Sequence, residues 1–345
     1  MDANNLDIEQ IIECINSKKP FSGVILVQQN GKVIFQKAYG FANRSEEIAN
    51  TIETRFGIAS GCKIFTAVAI CQLVEKGLLS FDTLLKDCLT APLTEFDQHI
   101  TIHHLLTHSS GIPDYFDEDT MTDYSALWKN IPMYLMKRPN DFIPMFADQK
   151  MKFAPGDKFH YNNAGFIVLG LIVEQQTGMS FSEYVEKYIF FPCEMYNSGY
   201  FSLDALPKNT AYGYIENELD GSWKANIYSI PIVGGPDGGA FVTAPDMIKF
   251  WKGFFEFRLL SKDYIQKLTT GYIYAEDDDY YGYGIWINKK NNEVFKYHLM
   301  GGDPGVSFRS SVYPQYDIQS VVIGNKEYGG YVITKEIENW MLTQS

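Results

Sequence analysis

The sequence predicts an α+β fold: an antiparallel β-sheet flanked by helices, with a mostly helical segment inserted into it. Three observations carry this reading. A β-hairpin signature stands near the N-terminus, strand signatures return only in the last quarter of the chain, and helical periodicity fills the stretch between. At 345 residues and about 150 residues per domain, roughly two units are expected. We place a sheet unit with terminal helices at 1–80 and 234–345, and a mostly helical insertion at 81–233.

Residues Leu6 to Lys18 put Ile8, Ile11, Ile12 and Ile15 at helical spacing, so an amphipathic helix opens the chain and stops before Pro20. The β-rich runs Gly23–Gln29 and Lys32–Tyr39 follow, joined by Asn30-Gly31, a dipeptide suited to the positive φ angles of a type I′ turn. From Lys63 to Gly77, Phe65, Val68, Ala69, Gln72 and Leu73 read as a buried helix with glycine at its stop. Helices are expected at Thr101–Leu106, Tyr124–Met136, Asn163–Thr177 and Phe181–Tyr188. Strands are expected at Tyr281–Asn288, Glu293–Tyr297, Val306–Tyr313 and Ile318–Ile323, with a last helix at Tyr331–Met341. The acidic run Glu276–Asp279 reads as a solvated loop.

Composition narrows the function. The chain carries 29 basic and 42 acidic residues, a net charge of −13, and no basic block, which argues against nucleic acid and anionic membrane as partners. No apolar run approaches the roughly 20 residues of a membrane span. The expected partner is a small molecule or short peptide, and the sequence leaves the oligomeric state open. Five cysteines, an odd number without a CxxC pair, fit reduced thiols. With the polar start MDANNLDIEQ this predicts a cytoplasmic protein, or an exported one if a leader has been removed.

The candidate chemistry sits in three segments. In Ser60-Gly-Cys-Lys63, serine and lysine share one face if a helix begins at Ser60, so a deprotonated lysine there takes the serine proton. Alone, the spacing also fits a capping serine beside a solvated lysine. Tyr161-Asn162-Asn163 precedes an apolar helix and offers a phenol to carry protons and an amide to donate hydrogen bonds, although Asn163 also reads as a plain helix cap. The glycine-rich His298-Leu-Met-Gly301-Gly302-Asp-Pro304-Gly305 lies between predicted strands, where glycine backbone can approach a ligand and offer an N–H to an oxyanion.

In this order the three segments resemble the serine β-lactamase and penicillin-binding protein superfamily, whose SxxK motif carries the nucleophile. The resemblance is to the branch of class C β-lactamases, D-alanyl-D-alanine carboxypeptidases and related esterases. It spans about residues 20–325 and includes Thr101–Pro113, Gly234–Asp246 and Tyr281–Gly284. It implies Ser60 as acylated nucleophile, Lys63 and Tyr161 as proton carriers, and Asn163, Gly301, Gly302 and His298 as substrate contacts. Ser60 and Gly302 N–H groups would form the oxyanion hole, in a groove between sheet and insertion, with no cofactor and no metal. The implied activity is serine hydrolysis of esters, amides or D-amino-acid peptides. β-Lactamase or carboxypeptidase activity, or a non-catalytic sensor on the same fold, are the alternatives.

The third segment departs from the family pattern. Counted back from Pro304-Gly305, the usual Lys or His position falls on Leu299, and His298 lies one residue early, on the opposite face of a strand. Either a bulge returns His298 to the site or the cation is missing. Arg309 and Asp237 are possible substrate contacts or structural ion-pair members, and Tyr115, Tyr212 and Trp223 are candidates to line the site. Histidines 99, 103, 104 and 108 cluster, and His104 and His108 have helical metal-ligand spacing, but no glutamate sits between them and packing is the expected role. Cys62, beside the nucleophile, is expected to be a small buried side chain.

Overall fold

The computed structural model describes residues 7–344. Its centre is an eight-stranded antiparallel sheet. The strands are β1 (Gly23–Gln29), β2 (Lys32–Tyr39), β3 (Ile273–Glu276), β4 (Asp279–Tyr281), β5 (Trp286–Lys290), β6 (Glu293–Asp303), β7 (Val306–Tyr313) and β8 (Ile318–Gly324). Their spatial order is β2-β1-β8-β7-β6-β5-β4-β3, so the N-terminal hairpin pairs with the last strand of the chain. The hairpin turns where expected, with Asn30 at φ 50° and Gly31 at φ 71°.

Five longer helices frame the sheet: α1 (Ile8–Lys18), α2 (Lys63–Glu75), α3 (Asn163–Thr177), α4 (Ala244–Phe255) and α5 (Gly330–Thr343). Leu6, the first residue of the expected opening helix, lies outside the described residues. α1 and α5 cover one face through Ile8, Ile12, Ile333, Ile337 and Met341, packed on Ile25, Val27, Phe295 and Val322. The other face meets α2 and α4, and the same core continues into α3 through Phe65, Phe166, Phe250 and Phe308. α2 is buried from Lys63 to Val74, which explains why its apolar residues surround the helix instead of marking one stripe.

Several elements differ from expectation. Tyr281–Asn288 is two strands, because Gly282-Tyr283-Gly284 turns the chain, with Gly284 at φ 69°. The strand expected at Glu293–Tyr297 runs on to Asp303, so Gly301 and Gly302 belong to a strand. Tyr124–Met136 holds two short 3-10 turns, Tyr124–Lys129 and Met133–Leu135, divided at Pro132. The acidic run is the β3–β4 hairpin, and Asp279 within it is no solvated residue: it bonds to Asn288 and His298. α4 and the helix Lys262–Leu268 had no counterpart in the sequence reading. Among the described residues no helix is long and apolar enough to cross a membrane.

Candidate active site

Ser60 lies in a 3-10 turn, Ala59–Cys62, that leads directly into α2. The regular helix therefore begins at Lys63, not at Ser60. Ala59 holds a φ of 45°, a left-handed conformation that costs free energy in a non-glycine residue and re-aims the chain at the serine. The turn is pinned from outside: Ile58 N–H donates to Ala240 O at 2.9 Å and Gly239 N–H to Ala59 O at 3.2 Å. The α2 N-terminus adds a dipole favourable to negative charge near Ser60.

Lys63 is 1% exposed, and its Nζ lies 2.9 Å from Ser60 Oγ, 2.8 Å from Asn163 Oδ1 and 2.7 Å from the Asp237 carbonyl. Two of those partners are carbonyl oxygens that can only accept, so they use two N–H groups, and the remaining tetrahedral position faces the serine hydroxyl. Asn163 is free for this because Asn162 caps α3, its Oδ1 accepting from Gly165 N–H at 2.7 Å. Asp114 reinforces that cap, accepting from Asn163 N–H at 2.6 Å and Ala164 N–H at 3.0 Å; burial nevertheless pushes its carboxyl up to about 7.

The Tyr161 ring lies beneath the Lys63 side-chain nitrogen, 4.9 Å from Nζ to its centroid. Burial lifts its phenol well above the ordinary value, and a hydrogen bond with Ser60 opposes that. A tyrosine of this kind keeps its proton and can pass it on.

Strand register decides where the N–H of Gly302, one of the expected oxyanion donors, points. β6 and β7 are joined by Pro304-Gly305, with Asp303 opposite Val306 and Gly302 opposite Ser307. Residues flanking a two-residue turn exchange hydrogen bonds, so the next pair does not, and Gly302 directs its N–H away from β7. β5 pairs with β6 only as far as His298, so that edge is open to the cleft. Gly301 brings the strand close to the nucleophile: a Cβ there would stand 2.0 Å from Ile58 O and 2.9 Å from Gly61 N.

Ser60 opens on a cleft with two lobes. The larger, about 880 Å³, is lined by Tyr115, Phe142, Asn163, Asp237, Ile230 and Asp303 among others. The second, about 660 Å³, is lined by Tyr161, Trp286, Met300, Arg309 and Tyr331. Ser60, Glu118, Gly302, Val306 and Glu327 border both.

His298 is the exception among the expected site residues. The β6–β7 register is unbroken from Tyr297 to Asp303, so no bulge turns it toward Ser60. It lines neither lobe, is 5% exposed, and stands 3.3 Å from Asp279 Oδ1. Burial lowers its pKa, with Asp279 pulling the other way. Leu299, at the family's cationic position, is buried in the main core.

The histidine cluster dissolves into packing. His104 closes a capping box with Thr101, His103 meets the Tyr283 hydroxyl at 2.9 Å, His108 accepts from Asn162 N–H at 3.1 Å, and His99 is paired with Asp97. Cys62 is fully buried, and burial pushes its thiol up to about 12. Tyr115 lines the larger lobe and donates to the Asp237 carboxylate. Tyr212 borders a small separate cavity, and Trp223 packs edge-on against Tyr214.

Sequence reasoning missed the Asp237 carbonyl as a lysine partner and the carboxyl of Asp303 beside Gly302. Asp237 lies inside the quoted Gly234–Asp246 run, but a backbone acceptor leaves no side-chain signal. Asp303 is lifted to about 7 by burial and by Asp237, with Lys63 opposing.

Comparison with known proteins places the chain by sequence and by fold. "Penicillin-binding protein 4*" of Bacillus subtilis (strain 168) is 26% identical over 340 residues, covering 93% of this chain and 71% of that protein. The crystal structure of a penicillin-binding protein from Bacillus halodurans superposes with a TM-score of 0.92 at 51% identity, covering 96% of this chain and 99% of that one. The octameric penicillin-binding protein homologue from Pyrococcus abyssi gives a TM-score of 0.84 at 29% identity, covering 98% and 78%. The Beta-lactamase family description matches residues 8–338, and on that extent of match the chain belongs to the Beta-lactamase family of serine hydrolases.

Proposed function

We propose that the protein hydrolyses esters, amides or D-amino-acid peptides through an acyl-enzyme at Ser60, without metal or cofactor. The observation that carries the proposal is the 2.9 Å approach of Lys63 Nζ to Ser60 Oγ at the floor of the two-lobed cleft. Ser60 Oγ attacks the substrate carbonyl carbon as its proton passes to Lys63. The oxyanion is held by the N–H groups of Ser60 and Gly302, each such donor being worth about 3–4 kcal/mol of barrier in other enzymes. Tyr161 returns a proton to the departing nitrogen or oxygen as its bond to the acyl carbon breaks. Water, activated by the same pair, then releases the acyl group.

β-Lactamase or carboxypeptidase activity is the second reading, favoured by the names of the relatives. Intact-protein mass spectra after incubation with a penicillin, on the parent and on Ser60→Ala, test both. An added mass in the parent that disappears in Ser60→Ala supports the acyl-enzyme and penicillin recognition. With no adduct and no hydrolysed penicillin, activity on D-amino-acid esters and amides decides the primary reading. If the parent acts on none of these compounds, the hydrolase proposal is wrong and a non-catalytic binding role takes its place.

A further inference from the structure

His108 holds a buried donor that nothing accepts. Its Nδ1 accepts the Asn162 N–H at 3.1 Å, so the neutral ring carries its proton on Nε2. That nitrogen is buried and has no hydrogen-bond partner among the described residues. Aromatic rings surround the imidazole instead: Tyr161 at 4.4 Å between centroids, Tyr281 at 4.6 Å, Phe166 at 5.0 Å, and Phe159 edge-on at 5.8 Å. The backbone is unusual at the same place. His108 has a φ of 56°, a left-handed conformation that histidine, asparagine and aspartate adopt more often than other non-glycine residues. An unmatched buried N–H and a left-handed residue each cost free energy, and such costs gather where the surrounding structure makes use of them.

Three parts of His108 act on one short segment. Its carbonyl accepts the His160 N–H at 2.9 Å, its Nδ1 accepts the Asn162 N–H, and its ring lies against that of Tyr161, the residue between them. Gly156 N–H to Ser109 O and Lys152 N–H to Gly111 O, both at 2.8 Å, keep the two stretches of chain side by side. We propose that His108 is a positioning residue for the reaction, gripping the backbone on both sides of Tyr161 so that the phenol stays at Lys63 and Ser60. His108 lines neither lobe of the cleft, so it acts through the tyrosine alone. Burial, with Lys63 acting in the same direction, holds its pKa well below the ordinary histidine value, which keeps Nδ1 an acceptor. The role rests on the reading of Tyr161 as proton carrier.

The step that needs this grip is departure of the leaving group. Tyr161 gives its phenol proton to the departing oxygen or nitrogen as the bond from that atom to the acyl carbon breaks, and the proton that Lys63 took from Ser60 replaces it. A nitrophenolate departs as a stable anion without that proton, whereas an alkoxide or an amide nitrogen requires it. A displaced tyrosine therefore slows poor leaving groups selectively. A general loosening of the fold slows good and poor ones alike.

The test compares the p-nitrophenyl and methyl esters of N-acetyl-D-alanine on the parent, His108→Asn, His108→Ala and Tyr161→Phe, with thermal unfolding to confirm the fold. The quantity read is kcat/KM, which reports acylation. Asparagine tolerates the left-handed φ and brings its own acceptor oxygen. On the methyl ester a loss of about a hundredfold is expected for His108→Ala, as for a misplacement of about 1 Å, and about tenfold for His108→Asn, with less than about threefold on the p-nitrophenyl ester for both. Tyr161→Phe should show the same selectivity, and adding His108→Asn to it should bring no further selective loss. Equal losses on the two esters in the His108 variants, beside a selective loss in Tyr161→Phe, overturn the positioning role and leave the proton carrier standing. No selective loss in Tyr161→Phe, or a parent inactive on both esters, removes the proton-carrier reading and the positioning role with it. Nitrogen–proton NMR correlation of the parent needs neither variants nor turnover: the histidine in contact with the Tyr161 ring protons should carry its proton on Nε2, and a proton on Nδ1 overturns the grip.

Discussion

Lys63 Nζ and Asn163 Oδ1 lie 2.8 Å apart although a hundred positions separate them in the chain. The contact joins the N-terminus of α2 to that of α3 and fixes the amine between Ser60 and the Asp237 carbonyl. Lys63→Met should therefore lower acylation by about 10³-fold, within the range for loss of a positioned proton carrier. Asn163→Ala leaves the amine in place with one support removed, and a loss of about tenfold to a hundredfold is expected. Stopped-flow acylation with a chromogenic ester measures both. Equal losses would show that the asparagine does more than orient the lysine.

The hairpin, α2, α3 and the last three strands were legible because each carries a local signal: Asn-Gly at the turn, unbroken apolar runs, and alternation on a half-covered sheet. The Ser60, Lys63, Tyr161 and Asn163 set was legible through its motifs. Register was not. His298 could be assigned a face only once β6 was known to run without a bulge into Gly301 and Gly302, and strand pairing is a long-range property that a local window does not hold. α4 was missed although Thr243 caps it and Pro245 lies in its first turn, because the glycine-rich run before it draws attention to loops.

Alkylation should distinguish one cysteine from four. Cys14 is exposed, while Cys62, Cys71, Cys88 and Cys193 are buried, and burial pushes the Cys62 and Cys193 thiols to about 12 and Cys88 to about 11. The reactive species is the thiolate. Iodoacetamide on the native protein at pH 8 is expected to add one label, on Cys14, and five after unfolding. Labelling of Cys62 in the folded protein would reopen the thiol beside the nucleophile as a reactive group.

Asp303 should take stability away as pH rises toward neutrality. Asp303 has its pKa raised from 3.8 to about 7, so between these values the folded state holds a proton that the unfolded state has released. Excess protons in the folded state make the slope of stability against pH negative. The loss is absent below the unfolded value and complete above about 7. Asp303→Asn removes this contribution: the variant should match the parent near pH 3 and exceed it at pH 8. Some slope will remain: Asp114, which burial also raises to about 7, adds a fall, while His108 and His298, held below the ordinary histidine value by burial, add a rise. Thermal unfolding from pH 3 to 8 provides the check, and parallel curves would show that Asp303 ionises normally.

Two adjacent glycines should respond oppositely to the same substitution. Gly301 packs against the nucleophile turn, where an added Cβ would meet Ile58 O at 2.0 Å and Gly61 N at 2.9 Å. Both are backbone atoms and neither can rotate away, so Gly301→Ala must displace the 3-10 turn or β6, at a cost of about 3 kcal/mol or more. Either displacement moves the Gly302 N–H relative to Ser60, and activity should fall with stability. A Cβ on Gly302 meets nothing within 4 Å, and Gly302→Ala keeps its N–H. Its melting temperature should stay close to that of the parent, within about 0.5 kcal/mol of stability, as for most substitutions in open space. Hydrolysis of a small ester, whose bulk does not reach the new methyl, should survive. If Gly301→Ala were tolerated and Gly302→Ala inactive with the small ester, the assignment of faces along β6 would be reversed, and with it the placement of the oxyanion donor.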